Sequence, residues 1–326
     1  MQTPVALIMF NRPTKTKLVF NEIVKARPSK LFIIADGPRP DHPEDIEKCA
    51  EARAIVDHVD WECEVLKKYS ETNLGCGYGP AKGISWVFDH VEKAIILEDD
   101  CVPNLTFFNF CDELLERYRN DQRIMMVAGA NTLFDKTPIE YSYFFSKIPA
   151  CLGGWATWRR AWRHHDMEMK LWPLLRDTDW LLDCCGDPLA AKFWWKTFNM
   201  TYEDRGNVDY WDYQWSFACW LQNGLVILPK VNLISNIGCD EDGTHTKSPS
   251  YFFSKVPTTE INFPLFHPPH FVQNRELDRI RFERSSIAKE IRQKQKSKLY
   301  LIFRKMIPNR LVNSLRSNIS RFLLHV

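Results

Sequence analysis

The first third of the chain alternates short apolar runs with segments of helical spacing, and this alternation constrains the fold more than any other feature. The apolar runs are VALIMF, KLFIIA, WECEVLKK and VEKAIILE, and segments such as TKTKLVFNEIVKA and PEDIEKCAEARAIVDHV separate them. Strands that alternate with helices predict a parallel sheet with helices on both faces. We therefore expect an α/β protein with a doubly wound, mainly parallel sheet.

Polar residues follow each of the four predicted strands, at the strand end or in the loop just after it. They are Asn11, Arg12, Asp36, Asn73 and the run Glu98-Asp99-Asp100. In open α/β sheets, ligands bind beyond the carboxyl ends of the strands. These side chains are therefore candidates for one shared ligand site.

The segment ILEDDCVP carries the strongest chemical signal, because a buried strand delivers three consecutive carboxylates to its end. Like charges side by side repel, and a bound cation would stabilise them. Oxygen ligands of this kind suit Mg²⁺ or Mn²⁺. The alternative is a solvated acidic turn, or an N-cap for the helix that follows.

The usual phosphate-binding motifs of such sheets are missing. The sequence contains no GxxxxGK[ST], and GCGYGPAKG does not follow a strand in the GxGxxG register. Its glycines could still bring backbone N–H groups near a phosphate, or could simply form a tight loop. Lys82, just after this loop, could reach a phosphate or could be a solvated helix lysine.

Ten of the twelve tryptophans fall between Trp155 and Trp220. Large aromatic side chains stack on sugar rings but are also ordinary core material, and we expect most of the ten in the core. In YWDYQWSFACWLQNG the apolar spacing predicts a buried helix that starts near Asp212. An aspartate in such surroundings is paired, capping or functional, and Asp209 is its rival for a functional role.

These segments together resemble a known family. FNRP, IIADG, NLGCGYG and AIILEDDCVPN, followed by CLGGWATWRRAW, NVDYWDYQWSFACW and LPKVNLISNIGCDEDGTHT, resemble GT-A glycosyltransferases in that order. The resemblance is greatest to the inverting N-acetylglucosaminyltransferase I group and to bacterial family-2-like, haemolysin-type sugar transferases. It covers roughly residues 4 to 250.

The resemblance implies a role for each candidate residue. Asp100 would contact Mn²⁺ or Mg²⁺, His245 would complete the metal or diphosphate shell, and Asp212 would be the catalytic base. The residues implied around the nucleotide-sugar are Asn11, Arg12, Asp36, Asn73, Lys82, Glu98, Asp99, Gly154 and Trp155. Inverting transfer needs one base to take the proton of the acceptor hydroxyl.

The resemblance also divides the chain. Residues 1–130 would form the nucleotide-sugar-binding half of a GT-A domain, and 131–274 the acceptor-binding, catalytic half. Residues 275–326 form a basic tail with 14 Lys or Arg and 4 Asp or Glu, whereas the rest of the chain has a net charge of −8. A basic amphipathic segment fits an anionic membrane surface or a partner helix, or packs on its own body. Nucleic acid is not an expected partner.

The remaining features favour a cytoplasmic protein, peripheral on the inner face of the plasma membrane through its tail. No stretch approaches the ~18 apolar residues of a membrane span. The first residues lack a basic n-region, so we expect no signal peptide. The ten cysteines contain no CxxC pair and are expected to be reduced.

The expected activity is inverting, metal-dependent transfer of a hexosyl or N-acetylhexosaminyl group. The donor would be a nucleotide-sugar, UDP-linked, and the acceptor a hydroxyl of a glycan or lipid-linked glycan in surface polysaccharide assembly. Two alternatives stay open: a catalytically inactive carbohydrate-binding or scaffolding protein of this fold, and a sugar nucleotidyltransferase.

Overall fold

The computed structural model describes residues 1–131, 133, 138–151, 153–204, 210–240 and 254–284. The chain divides into two compact units, Met1–Asp278 and Arg279–Val326. The second unit is described only as far as Arg284, so most of the predicted tail lies outside the described residues. The division of residues 1–274 into donor and acceptor halves stays a prediction.

The first four strands follow the four predicted apolar runs, and six further strands come later among the described residues. In chain order, the strands are β1 (Val5–Met9), β2 (Lys30–Ala35), β3 (Glu64–Tyr69), β4 (Lys93–Glu98), β5 (Cys101–Pro103), β6 (Ile124–Ala128), β7 (Tyr143–Ser146), β8 (Trp155–Trp158), β9 (Leu225–Pro229) and β10 (Ile234–Asn236).

The helices alternate with the first four strands, as their apolar spacing predicts. They are α1 (Pro13–Ala26), α2 (Glu44–Ile55), α3 (Gly75–His90), α4 (Leu105–Arg117), α5 (Arg159–Trp162), α6 (Trp172–Leu175), α7 (Trp180–Cys185), α8 (Pro188–Glu203), α9 (Asp212–Leu221) and α10 (Arg275–Arg284).

Eight strands form one sheet in the order β3-β2-β1-β4-β8-β6-β9-β7, and β10 pairs with β5 in a separate antiparallel ribbon. Strands β3, β2, β1 and β4 are parallel neighbours, and β6 is parallel to β9. Strands β8 and β7 run antiparallel to their neighbours. Six of the eight strands therefore point the same way, and the predicted mainly parallel α/β fold is confirmed.

Helices cover both faces of this sheet. Val5, Leu7 and Met9 of β1 belong to one core cluster with apolar residues of α1 and α4. Side chains alternate between the faces of a strand, so Ala6 and Ile8 point to the other face. There α3 packs closely enough that a Cβ on Gly83 would lie 2.5 Å from the Ile34 side chain. Among the described residues, no helix is both long and apolar enough to cross a lipid bilayer.

Candidate functional site

A cavity of ≈ 530 Å³ lies beyond the carboxyl ends of β1, β2, β3 and β4. This volume is in the range of small-molecule sites, roughly 300–1,000 Å³. The polar lining residues from the first half of the chain are Arg12, Asp36, Arg39, Ser70, Asn73, Glu98, Asp99 and Asp100. The second half contributes Cys151, Gly153, Tyr210, Trp211, Asp212, Tyr213, Asn236, Gly238 and Cys239. The strand ends and the start of α9 thus meet in one hollow.

Seven of the predicted site residues meet at this cavity, namely Arg12, Asp36, Asn73, Glu98, Asp99, Asp100 and Asp212. Four others, Asn11, Lys82, Gly154 and Trp155, are not among the residues that line it. His245 and the rival base Asp209 lie outside the described residues.

Asp99 is the most deeply buried of the three carboxylates at the end of β4. It is 1% exposed and accepts the backbone N–H of Phe10 at 3.2 Å. It also accepts from the Nη2 and Nε of Arg12. Its hydrogen-bonding capacity is therefore largely taken up by Phe10 and Arg12, which does not support its predicted contact with the ribose or sugar.

Asp100 lies next to the same arginine. Its Oδ2 accepts from Arg12 Nη1 at 3.0 Å, and its Oδ1 accepts from the thiol of Cys101 at 3.0 Å. Gly238 packs directly against this carboxylate, because a Cβ there would lie 2.0 Å from Asp100 Oδ2. Burial keeps the pKa of the Cys101 thiol well above its usual range, so it stays a donor.

Glu98 differs from the two aspartates. Ion pairs join Arg12 to Asp99 and Asp100 but not to Glu98. Burial, and then the negative charges of Asp100 and Asp99, raise the pKa of Glu98 to about 8. The three carboxyl groups of the acidic run therefore differ. Asp99 is buried and bound to Phe10 and Arg12. Asp100 is paired with Arg12, and Glu98 has a raised pKa and no ion pair to Arg12.

A divalent cation fits this site only if a second molecule supplies some of its oxygen ligands. No group of three or more His, Cys, Asp or Glu in the described ranges could hold a metal ion alone. However, Mg²⁺ at phosphate sites commonly takes one or two carboxylates together with phosphate oxygens and water. Asp100, with Glu98 beside it, suits that role. The cation would then have to share Asp100 with Arg12.

Asp36 connects the end of β2 to the start of α3. Its carboxylate accepts the backbone N–H groups of Leu74 and Gly75 and the side-chain amide of Asn73, at 2.9 to 3.1 Å. It also accepts the N–H of Gly37 at 2.9 Å. A carboxylate at a helix N-terminus is favoured by the unpaired amides there. Asp36 and Asn73 thus shape the cavity wall more than they offer free groups to a ligand.

Arg39, in the loop after β2, and Asp45, in the first turn of α2, form a pair that the sequence analysis missed. Asp45 is buried and accepts from Arg39 Nε at 2.7 Å and from Asn11 Nδ2 at 2.6 Å. Hydrogen bonding from Arg39 lowers the pKa of Asp45 to about 2. Asn11 is thereby bound to Asp45 and is not among the residues that line the cavity, so its role around the nucleotide stays a prediction. Arg39 does line the cavity, with its guanidinium 5.6 Å from the Phe10 ring centroid.

Three further residues that the resemblance assigns to the donor do not line the cavity. Lys82 is exposed, and its Nζ lies 5.8 Å from the ring centroid of Tyr78. Trp155 is 0% exposed, and its indole stacks on that of Trp211 at 5.4 Å. Gly154 faces core side chains instead of the cavity, whereas its neighbour Gly153 lines the cavity with a φ of +133°.

Replacing Gly154 with alanine should destabilise the fold by about 1–3 kcal/mol, because the core there is already full. The added Cβ would lie 2.7 Å from side-chain atoms of both Ile234 and Leu97. Urea unfolding of both proteins measures the difference. Gly79→Ala is the control, since its Cβ would come no closer than 3.4 Å to any atom outside its own helix. Equal stability of Gly154→Ala and the wild type would contradict this packing.

Asp212 is the first residue of α9 and is partly buried in the cavity wall. Burial raises the pKa of Asp212 to about 6, although the backbone N–H groups of Asp212 and Tyr213 oppose the shift. Its charge is also one of those that raise the pKa of Glu98, so the two carboxyls are near each other. Asp212 is thus a carboxylate whose proton affinity is matched to proton transfer near neutral pH.

The aromatic residues around α9 hold Asp212 in place. Trp155, Trp162, Trp211 and Trp215 pack with ring centroids 5.1 to 6.2 Å apart. His165 stacks on Trp162 at 4.2 Å, and its Nε2 lies 3.1 Å from the carbonyl oxygen of Trp211. Burial lowers the pKa of His165 to about 4, so the imidazole is neutral. No sequence motif indicated that His165 contacts Trp211, the residue before Asp212.

No protein-family model and no curated protein matches the sequence. Among solved structures, fragment 1–349 of S. aureus TarS has 12% identity and a TM-score of 0.35, over 51% of this chain and 50% of that chain. The chain covers 30% of the longer S. aureus TarS structure. It therefore spans half or less of the TarS structures that it resembles.

Two other structures show similar partial likeness. UDP-glucose pyrophosphorylase in complex with UDP-glucose has 10% identity and a TM-score of 0.30, over 50% of this chain and 79% of that chain. The 4-diphosphocytidyl-2C-methyl-D-erythritol synthase of Anaerococcus prevotii has 9% identity and a TM-score of 0.28, over 48% and 72%. Likeness this weak is confined to part of the fold and assigns no role to any residue of this chain.

Proposed function

We propose that this chain is an inverting glycosyltransferase of the GT-A type. It moves a sugar from a UDP-linked nucleotide-sugar to a hydroxyl of a glycan or lipid-linked glycan. One observation carries the proposal: Asp212, with a pKa of about 6, lines the same cavity as the acidic end of β4 and Arg12. Inverting transfer uses one base for the acceptor hydroxyl, and a positive group beside it can stabilise the leaving diphosphate.

Asp212 accepts the proton of the acceptor hydroxyl as that oxygen attacks the anomeric carbon of the donor. The new carbon–oxygen bond forms as the bond from the anomeric carbon to the diphosphate oxygen breaks. The bonding electrons leave with the diphosphate, where negative charge develops. Arg12, on the cavity wall, is placed to stabilise that charge.

The proposed cofactor is Mn²⁺ or Mg²⁺. Asp100, with Glu98 beside it, would hold the cation, and the diphosphate would supply further oxygen ligands. When bound, the cation supplies Lewis-acid stabilisation of the leaving diphosphate. The aromatic groups of Tyr210, Trp211 and Tyr213 line the cavity near Asp212 and offer surfaces for the sugar rings of the acceptor.

A panel of nucleotide-sugars, each with and without Mn²⁺, tests the function. A UDP-sugar at about 100 times its Kd should stabilise the fold by ~2.7 kcal/mol, which raises the melting temperature by a few degrees. Transfer is then followed by UDP release and by the anomeric configuration of the product. Exchange of pyrophosphate into the nucleotide-sugar without sugar transfer would identify a nucleotidyltransferase instead. Sugar binding without either reaction would identify a binding protein.

The proposed base predicts an acid limb in the pH profile. Asp212 must be deprotonated to act, so kcat/KM should be constant well above pH 6 and fall about tenfold per pH unit below it. Initial rates between pH 5 and 8, with folding checked by circular dichroism, measure this limb. A flat profile down to pH 5 would rule out a base with the pKa of Asp212.

We also propose that the enzyme works at the inner face of the plasma membrane. The basic composition of residues 275–326 supports this setting, because each Lys or Arg near an anionic surface contributes about 1 kcal/mol. The tail from residue 285 lies outside the described residues. Its contact with a membrane, a partner or the body of the enzyme therefore stays a prediction.

A further inference from the structure

Arg12 joins two of the three carboxylates at the end of β4. Its Nη1 donates to Asp100 Oδ2 at 3.0 Å, while its Nη2 and Nε both reach Asp99. The three side chains, Arg12, Asp100 and Asp99, are 18%, 14% and 2% exposed, so these charges lie largely out of water. Charge-assisted hydrogen bonds of a guanidinium are strong in such surroundings.

While Arg12 is bound to it, Asp100 has little capacity left for a cation. Its Oδ2 accepts from Arg12 and its Oδ1 accepts from Cys101. The backbone of Gly238 closes another approach, because even a Cβ there would lie 2.0 Å from Oδ2. A free divalent cation would also meet the positive charge of the guanidinium at this carboxylate.

The forked guanidinium allows Arg12 to release Asp100 and still keep an ionic partner. Asp99 retains the Nη2 and Nε donors, and its hydrogen bond from the Phe10 N–H ties it to the end of β1. Only the Nη1 contact has to break. Arg12 lines the cavity, so the released N–H would be available to a ligand there.

We propose that Arg12 is the resident counter-ion of Asp100, and that a nucleoside diphosphate arriving with its divalent cation exchanges for it. Nη1 would then donate to a diphosphate oxygen instead of Asp100, and the freed Asp100 oxygen would be a ligand for the cation. The charges of cation and diphosphate offset each other, so their joint entry avoids the repulsion that a lone cation would meet. This inference rests on the proposed function for the identity of the ligand. It requires cation and nucleotide to bind together.

The full-length chain is titrated with Mn²⁺ alone and with Mn²⁺ plus UDP, with free Mn²⁺ followed by electron paramagnetic resonance. The test variant is Arg12→Gln/Asp99→Asn, which removes one charge of each sign and preserves the net charge of the cluster. It should bind Mn²⁺ alone at least about tenfold more tightly than the wild type, because Asp100 is free. The wild type should reach that affinity only when UDP is present.

Lys15→Gln/Asp240→Asn is the matched control, because it also removes one charge of each sign. Lys15 lies three residues beyond Arg12, on α1, and its Nζ pairs with Asp240 Oδ1 at 2.6 Å. Losing this ion pair leaves Arg12 bound to Asp100, so Mn²⁺ affinity should change by less than about twofold. An equal gain in this control, or tight Mn²⁺ binding by the wild type without UDP, would overturn the counter-ion role. Either result leaves sugar transfer, which is measured by product release, unaffected as a proposal.

Arg12→Lys is the second test variant, to be used if the double variant does not fold. A single ammonium keeps the positive charge but lacks the fork that holds both aspartates at once. Mn²⁺ alone should then bind more tightly than to the wild type, by a smaller factor than in the double variant. An Arg12→Lys protein with wild-type Mn²⁺ affinity, with and without UDP, would also overturn the proposal.

Discussion

Replacing Asp212 with asparagine should lower kcat by about 10²–10⁴-fold, the usual contribution of a general base. Asparagine keeps the size of the side chain and can still accept the backbone N–H groups at the start of α9. It cannot take a proton at neutral pH. The affinity for the nucleotide-sugar should barely change, because the base acts on the acceptor hydroxyl. Turnover measured by product release and donor affinity measured by calorimetry separate these two effects.

Asp209→Asn is the matched control for Asp212→Asn. Asp209 lies three residues earlier, outside the described residues, and is the rival base on sequence grounds. Its substitution should cost far less activity. An inactive Asp209→Asn enzyme beside an active Asp212→Asn enzyme would exchange the two roles. Loss of donor binding and early melting in both variants would mean that this segment has a supporting function instead.

The first half of the fold was predictable because its signals are local. A buried parallel strand such as Val5–Met9 is a continuous apolar run, and a helix such as α2 begins directly after a proline, with acidic residues in its first turn. The antiparallel insertion of β8 between β4 and β6 was not predicted. It depends on pairing between segments far apart in sequence, and a four-residue run such as Trp155–Trp158 does not reveal its neighbours.

The site was predicted by residue type and position more reliably than by role. The polar groups at the strand ends do converge, since parallel strands bring their carboxyl ends to one edge of the sheet. Sequence spacing, however, cannot tell which of them the protein itself uses. Asp36 and Asp99 are engaged by backbone N–H groups, and Asn11 is bound to Asp45.

Burial explains why Trp155 and Gly154, which were predicted near the donor sugar, do not line the cavity. Trp155 is the first residue of β8, a central strand of the sheet, and Gly154 directly precedes it. Both meet core side chains. Arg39 and His165 were missed because their importance comes from partners distant in sequence or outside any motif. Only Arg39 offered a signal, as a basic residue four positions after Ala35, the last residue of β2.

Replacing Asp100 with alanine should weaken metal-linked donor binding by a few kcal/mol, or on the order of 10²-fold or more, if Asp100 is the cation ligand. Arg12 would remain paired with Asp99, so the fold should persist and the loss should be confined to the Mn²⁺-dependent part of binding.

Calorimetry of a UDP-sugar with the wild type and with Asp100→Ala, in Mn²⁺ and in excess EDTA, isolates the Mn²⁺-dependent part of donor binding. The wild type should bind the donor far more tightly in Mn²⁺ than in EDTA, whereas Asp100→Ala should bind it about equally weakly in both. Both enzymes should have little activity in EDTA. If Mn²⁺ strengthens donor binding as much in Asp100→Ala as in the wild type, the cation is held elsewhere. Full wild-type activity in excess EDTA would remove the metal from the mechanism and leave Arg12 as the cation that neutralises the leaving diphosphate.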